Sequence, residues 1–382
     1  MQVITTSAEL AAACGRLASA PYVAVDTEFV RETTFWPDLC LIQAAGGGDE
    51  HLIDPLAPGI DLAPFFALMA NPAVLKVFHA ARQDLEIIFL LGKIIPAPLF
   101  DTQVAAMVCG FGDSISFSNL VKTIVGKDVD KTSQFTDWRR RPLSPKQLAY
   151  ALSDVTLLRP VYEHLAAELE KTGRTGWLAE EMGFLTDPLT YDQQPDNAWQ
   201  RLKLRVKNKK ALAVLMEVAA WRERTAQSQN VPRGRILKDD AIYDVANQMP
   251  KTLEELSELR TIHDGIARSE KGRELVEAVK RGLARDPAAL PALDRNNAPS
   301  VEAQAVLELL KVLLKASAAE HKVAPKMIAT SDDLERLAVE AEPDIHALKG
   351  WRRDLFGKRA LDLKAGRVAL RVNNGAIETV EV

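Results

Sequence analysis

The sequence predicts an α/β domain built on a mixed central sheet, followed by two small all-α domains. Three observations predict it. Residues 1 to about 125 alternate short β-rich runs with helix-like segments. From Ser144 onward the apolar spacing is almost wholly helical. Two polar stretches with prolines, at 186–200 and 284–300, then cut the helical part into blocks. The 382 residues suffice for two or three domains at about 150 residues each.

In chain order, SAELAAACGRLASA (7–20) opens with a serine cap and continues in good helix formers. YVAVDTEF (22–29), LCLIQAA (39–45), HLID (51–54) and VLKVFHA (74–80) are strand-like runs between polar or Gly/Pro breaks. RQDLEIIFLLG (82–92) has helical spacing and ends on a glycine stop. Three strands precede the first sizeable helix that returns to the sheet, so a mixed sheet is expected rather than a parallel one. In SPKQLAYALSDVTLLRPVYEHLAAELEKTG (144–173), Ser144 caps the helix, Pro145 suits its first turn, and Pro160 is expected to kink or break it. The last segment, GRVALRVNNGAIETVEV, holds two β-rich runs around Asn374-Gly375, a hairpin signal. The two C-terminal blocks show no short-period repeat but could be distant relatives of one another.

Composition narrows the classes. Hydrophobic residues are 47% and charged residues 26%, ordinary globular usage. No apolar run approaches the roughly 20 residues a membrane helix needs, and MQVITTSAEL lacks the pattern of a signal peptide. Cys14, Cys40 and Cys109 match neither a zinc spacing nor a disulfide framework, so a cytoplasmic location is expected. A net charge of −4 does not advertise a nucleic-acid binder, yet RLKLRVKNKK (201–210) holds six cations and no acid, and Arg139, Arg140 and Arg141 are consecutive.

The chemistry starts in VAVDTEF (23–29). Asp26 and Glu28, two apart on a strand, share a face and can converge on one ligand. Two such acids in a low-dielectric site repel unless a hard divalent cation is bound there; alternatively the strand ends at the sheet edge and both are solvated. Asp84 lies in the first turn of a helix, where an acid also complements the helix dipole. Tyr150 and Asp154, four apart in a helix, share a face with Leu157 and Leu158. That face points inward, and an inward aspartate needs a partner: the metal, or Tyr150 itself.

With these motifs on the page, the sequence resembles a known family. DTEF, HAARQDLEII and YALSD match the three ordered motifs of the DEDD 3′–5′ exonucleases, and Tyr150 places the chain in the tyrosine subclass. VFHAARQDLEI and DWRRRPLSPKQLAYALSDV make bacterial ribonuclease D the nearer resemblance, over essentially the whole chain. It implies a ribonuclease H-like exonuclease domain with a five-stranded mixed sheet (1–185), a linker and basic junction (186–207), an HRDC domain (208–288) and a second HRDC-like domain (296–382). It also implies two divalent ions, Mg²⁺ or Mn²⁺, with Asp26 bridging them, Glu28 and Asp154 completing the water-side ion, and Asp84 holding the other. Tyr150 then orients the attacking water, since a phenol of pKa about 10 is a poor base at neutral pH. The implied partner is RNA, as tRNA precursors and other small structured RNAs with single-stranded 3′ ends, acted on by a monomer with no membrane association.

Substrate contacts are open in sequence. Phe29 either stacks on a terminal base or is a core aromatic. His79 contacts phosphate or ribose, or is a structural histidine. Gln134, Trp138, Arg139 and Arg140 either line a substrate channel or form a solvated loop, and the 201–210 run either tracks RNA backbone or is a solvated helix face. Rival functions are a DNA-directed 3′–5′ exonuclease and a non-catalytic RNA-binding scaffold; the second expects an eroded acid, and all four are present.

Overall fold

In the computed structural model, which describes residues 3–203, 206–292 and 300–382, the early β-rich runs assemble into one sheet. Its strands are β1 (Val3–Ile4), β2 (Tyr22–Val30), β3 (Asp38–Gly46), β4 (Asp49–Ile53), β5 (Leu75–Phe78) and β6 (Leu99–Asp101), in the order β1-β4-β3-β2-β5-β6. β2 pairs in parallel with β5, and β5 with β6, whereas β3 and β4 are antiparallel. The sheet is therefore mixed, but it has six strands, not five. β1 is a two-residue edge strand on β4, too short for any alternation to reveal it in sequence. Val23, Ala24 and Val25 are fully buried on the central strand, as expected where both faces of a sheet are covered.

Helices α1 (Ser7–Leu17), α2 (Ala63–Ala70), α3 (Arg82–Gly92), α4 (Thr102–Val108), α5 (Phe117–Val125), α6 (Pro145–Lys171) and α7 (Thr175–Leu185) complete this part. Three details differ from the sequence reading. α1 is capped by Thr6, whose hydroxyl accepts from the Glu9 backbone N–H, and not by Ser7. Gly92 is not the stop of α3: Lys93 takes the left-handed cap, and Gly92 is small because the Phe66 ring lies 2.5 Å from where its Cβ would be. Pro160 neither breaks nor ends α6, a single helix of 27 residues. The lost backbone bond is outweighed by burial of Val155, Leu158, Val161 and Leu165 along one face. At the other end of α6 the expectation holds: Ser144 and Gln147 form a reciprocal capping box with proline in the first turn.

The chain divides into two compact units, one of residues 1–28, 39–190 and 297–382, the other of 29–38 and 191–296. In the second unit the core is built by α8 (Lys209–Gln229), α9 (Arg233–Ile236), α10 (Asp239–Gln248), α11 (Leu253–Ser257), α12 (Asp264–Ala267) and α13 (Glu270–Ala284). Phe35 belongs to that core; its ring lies 4.4 Å from the Arg233 guanidinium, and the Phe35 and Trp36 N–H groups both donate to Asn230 Oδ1.

The last block, in the first unit, repeats the start of this pattern. α14 (Val301–His321), α15 (Pro325–Ile328) and α16 (Ser331–Val339) follow α8, α9 and α10 at a constant offset of 92 residues, as Lys209 to Val301 shows. Each long helix ends on a left-handed cap, Asn230 or Lys322. α17 (Gly350–Arg352) runs through a π-turn (Arg353–Gly357) into α18 (Lys358–Lys364), and the hairpin β7 (Val368–Asn373) and β8 (Ala376–Glu381) turns on Asn374 and Gly375, both at positive φ. The block is seated on the exonuclease part by the stacked Trp177 and Trp351 rings, 4.3 Å apart, and by buried Arg352, which bonds Glu180, Glu181 and the Met327 carbonyl. No described helix is long and apolar enough to cross a membrane.

Between α5 and α6 the chain runs in a basic loop, and Arg141 ties it down. Its guanidinium forks onto Asp54 with both oxygens (2.7 and 2.6 Å) and also donates to the carbonyls of Cys40 and Trp138. Lysine cannot reproduce that planar fork. Arg141→Lys should therefore lower unfolding free energy in urea by about 2 kcal/mol, the scale of a charged hydrogen-bond pair; an unchanged midpoint would show that the loop is held by other contacts.

Candidate active site

Alternation along β2 turns Val23, Val25 and Thr27 into the interior and leaves Asp26 and Glu28 half-buried on one face. α6 brings buried Asp154 to the same place, so that carboxylate oxygens of Asp26, Glu28 and Asp154 all lie within 4.8 Å of one another. Asp84, buried in the first turn of α3, stands next to this trio rather than in it; the Thr27 hydroxyl donates to its carboxylate.

Among the described residues no arginine or lysine pairs with these four acids, and burial acts on all of them. Burial pushes Asp26 up to about 6, with only the Thr27 backbone N–H opposing. Burial, then the charges of Asp26, Asp154 and Asp84, push Glu28 up to about 10. Asp154 rises to about 8 by burial and the neighbouring Asp26, partly offset by a hydrogen bond from Tyr150. Asp84 is raised by burial and by Asp26. Mutual repulsion of buried carboxylates is the electrostatic signature of a site completed by an external cation. The donor set is all oxygen, which suits a hard divalent ion.

Tyr150 lies one turn before Asp154, and its hydroxyl faces that carboxylate. Burial first, then the negative charges of Asp154, Glu28 and Asp26, hold the phenol in its protonated form. Asp26, Tyr150 and Asp154 line a cavity of about 150 Å³ with His79, Phe117 and Leu158. His79 Nδ1 lies 3.0 Å from Thr102 Oγ1, whose own proton goes to the Phe78 carbonyl. Nε2 is buried without a hydrogen-bond partner of good geometry, and the Ile115 carbonyl beside the ring favours a ring N–H facing it. Burial lowers the His79 pKa, consistent with a neutral ring.

The turn that aims His79 and Asp84 is fixed by Asp101. Its buried carboxylate accepts from the backbone N–H groups of Ala80, Ala81 and Gln103, at 2.8–3.0 Å, and Ala80 is held at φ +56°. Sequence reasoning missed Asp101, Thr27 and Phe117. Asp101 was findable, since an aspartate directly before the helical run TQVAAMV is a capping signal.

The other expected contacts are dispersed. Trp138 is 2% exposed with its ring 6.1 Å from that of Tyr150, so it backs the tyrosine and lines no channel. Gln134 and Arg140 are exposed and Arg139 is half-buried. Half-buried Phe29 falls in the 29–38 segment of the second unit. In the basic run, Leu204 and Arg205 lie outside the described residues; Arg201 pairs with buried Glu223 at 2.6 Å, and Lys209 donates to the Pro287 carbonyl.

With the geometry in place, comparison with known proteins is informative. A family model described as 3′–5′ exonuclease matches residues 1–170, and one described as HRDC domain matches 211–279. The chain is 55% identical to the ribonuclease D of Nitrobacter hamburgensis over all of both chains. It is 47% identical to that of Bartonella henselae, covering all of this chain and 94% of the relative. The crystal structure of Escherichia coli RNase D, described as an exoribonuclease involved in structured RNA processing, superposes with a TM-score of 0.82 at 30% identity, covering 95% of this chain and 98% of that one.

The raised carboxyls fix a pH dependence. A carboxyl whose folded pKa lies above its unfolded value near 4 stabilises the fold at low pH, and that stability is lost as pH rises through the folded pKa. Metal-free protein should therefore lose about 2 kcal/mol or more between about pH 5 and 8, the window set by Asp26 and Asp154. Melting in EDTA across that range checks it, with Mg²⁺ or Mn²⁺ flattening the slope and Asp154→Asn stabilising the metal-free form at the upper end. A metal-free melt indifferent to pH would contradict the repulsion.

Proposed function

The chain belongs to the ribonuclease D family of 3′–5′ exoribonucleases, and on that premise we propose that it trims the single-stranded 3′ ends of tRNA precursors and other small structured RNAs. Each cycle hydrolyses the terminal phosphodiester and releases a 5′-mononucleotide. The observation that carries this reading is the convergence of Asp26, Glu28 and Asp154 within 4.8 Å beside Tyr150.

Asp26, Glu28, Asp84 and Asp154 are the residues that would hold two divalent ions, Mg²⁺ or Mn²⁺. When bound, such ions neutralise the scissile phosphate and acidify the attacking water. The chain's own part is positioning. Tyr150, its hydroxyl facing Asp154, offers a phenol lone pair that accepts from the attacking water and turns the water's own lone pair towards phosphorus. The P–O bond to the penultimate 3′-oxygen breaks as the new P–O bond forms. His79, which lines the cavity, fits a ribose hydroxyl of the terminal nucleotide, a contact that favours RNA over DNA.

We further assign 1–185 to the exonuclease domain, 186–207 to the linker, 208–288 to the HRDC domain and 296–382 to a second HRDC-like domain, the last supported by the repeated helix pattern. The chain acts as a cytoplasmic monomer in this reading, a compartment that suits three cysteines none of which is in a disulfide.

A 5′-labelled RNA with a single-stranded 3′ tail tests the proposal. Incubation with Mg²⁺ or Mn²⁺ should shorten it one nucleotide at a time from the 3′ end, chelator or Asp26→Asn should stop this, and an all-deoxy strand should be a poorer substrate. Tyr150→Phe should lower turnover by about a hundredfold or more while RNA affinity in chelator stays near that of the wild type. An intact 3′ end with either metal would overturn the proposal, and full turnover by the phenylalanine variant would remove Tyr150 from the chemistry.

A further inference from the structure

Phe135 is 93% exposed, the most exposed aromatic side chain among the large apolar residues described at the surface. Single exposed apolar residues are common, so exposure alone carries nothing. The turn beneath this one is what sets it apart. Gln134 N–H donates to the Lys131 carbonyl, and the Thr136 N–H and hydroxyl both donate to the Ser133 carbonyl. Ser133 is buried. Gln147, buried at the start of α6 and part of its capping box, donates through Nε2 to Thr136 Oγ1 at 3.1 Å and to the Asp137 carbonyl. The turn is thus pinned to the same helix that carries Tyr150 and Asp154. With its backbone turn fixed, the exposed ring has only its own side-chain rotations to lose on binding.

Charge and position indicate what it meets. From Lys131 to Lys146 the chain holds Lys131, Arg139, Arg140, Arg141 and Lys146 against the single acid Asp137. Lys131, Arg140 and Lys146 are exposed. Three residues after Phe135 comes Trp138, whose ring lies 6.1 Å from that of Tyr150. Three residues span at most about 11 Å, so the Phe135 backbone lies within that reach of the Trp138 backbone in the loop that backs Tyr150, and Phe135 itself does not line the cavity. A fixed aromatic face flanked by cations is the arrangement that binds single-stranded nucleic acid without regard to sequence, bases on the ring and phosphates on the cations.

We propose that Phe135 is a stacking platform for a base in the single-stranded tail of the RNA, upstream of the nucleotide being removed. The proposal rests on the exoribonuclease reading above and adds a subsite to it. Its effect is to raise affinity for substrates whose tail is long enough to reach the turn, so that the enzyme favours longer tails over the last few nucleotides.

The test is binding of a 5′-fluorescein oligoadenylate to the full chain in chelator, followed by steady-state kinetics with Mn²⁺ on tails of decreasing length. Phe135→Ala should weaken binding by about tenfold, inside the range set by stacking of ~1–3 kcal/mol per base. It should raise KM for long tails with little change in kcat, and the ratio to wild type should fall towards one as the tail shortens. Phe135→Trp should restore affinity and Phe135→Leu should not, and an abasic tail should erase the difference between wild type and Phe135→Ala. Wild-type affinity in Phe135→Ala, or full rescue by Phe135→Leu, overturns the platform. Should Phe135-dependent binding be found in a protein that leaves the RNA intact with Mn²⁺, the platform stands and the exoribonuclease reading falls.

Discussion

Repulsion among carboxylates within 4.8 Å, partly or wholly out of water, is the constraint that organises the exonuclease part of this chain. Left to relax, such groups would turn to solvent or take up protons. They cannot turn away because each is fixed from a different direction, so the repulsion is expressed as raised carboxyl pKa values. Asp26 and Glu28 stand on the central strand, whose neighbours Val23, Ala24 and Val25 are fully buried. Asp154 is carried by a long helix whose start is locked by the Ser144–Gln147 capping box. Asp84 is aimed by a turn that Asp101 holds through backbone N–H groups. A divalent cation relieves that crowding on binding, so the stability of the fold and the affinity for metal are thermodynamically linked.

Much of this was legible in the sequence, and the failures have physical reasons. The i, i+2 spacing in DTEF and the i, i+4 spacing in YALSD translate directly into shared faces, because strand and helix periods are rigid. Asp84 could be placed on a helix but not at its distance from the trio, since that depends on the left-handed turn at Ala80, which no residue type announces. β1 and β6 are too short to show a period. Pro160 does not break its helix, one of the two outcomes expected of it, because local propensity is outvoted by burial along a long helix. Trp138 and Phe135 show the same limit within one loop: both are aromatic and sit among the same cations, yet one faces inward behind Tyr150 and the other faces water. Only the turn geometry, fixed by Gln147, separates them.

The helical part shows one motif used twice. In each copy a long helix ends on a left-handed cap, and the cap is a docking point. Asn230 Oδ1 receives the N–H groups of Phe35 and Trp36. Lys322 offers its carbonyl to Arg174, 2.5 Å from where a Cβ on Gly110 would stand. Gly110 therefore stays glycine for two reasons, its φ of +86° and the backbone pressed against it. The 92-residue offset was invisible in composition because the two copies share positions such as Val231 and Val323, or Ile236 and Ile328, more than they share runs.

The account stands on the claim that these acids are a metal platform. Its most direct test is anomalous diffraction from crystals soaked in Mn²⁺, compared between the wild type and Asp26→Asn. The account predicts an anomalous peak among Asp26, Glu28 and Asp154 that is lost or strongly weakened in the variant. A wild-type enzyme that is active in the same Mn²⁺ concentration, but shows no peak there, would contradict it.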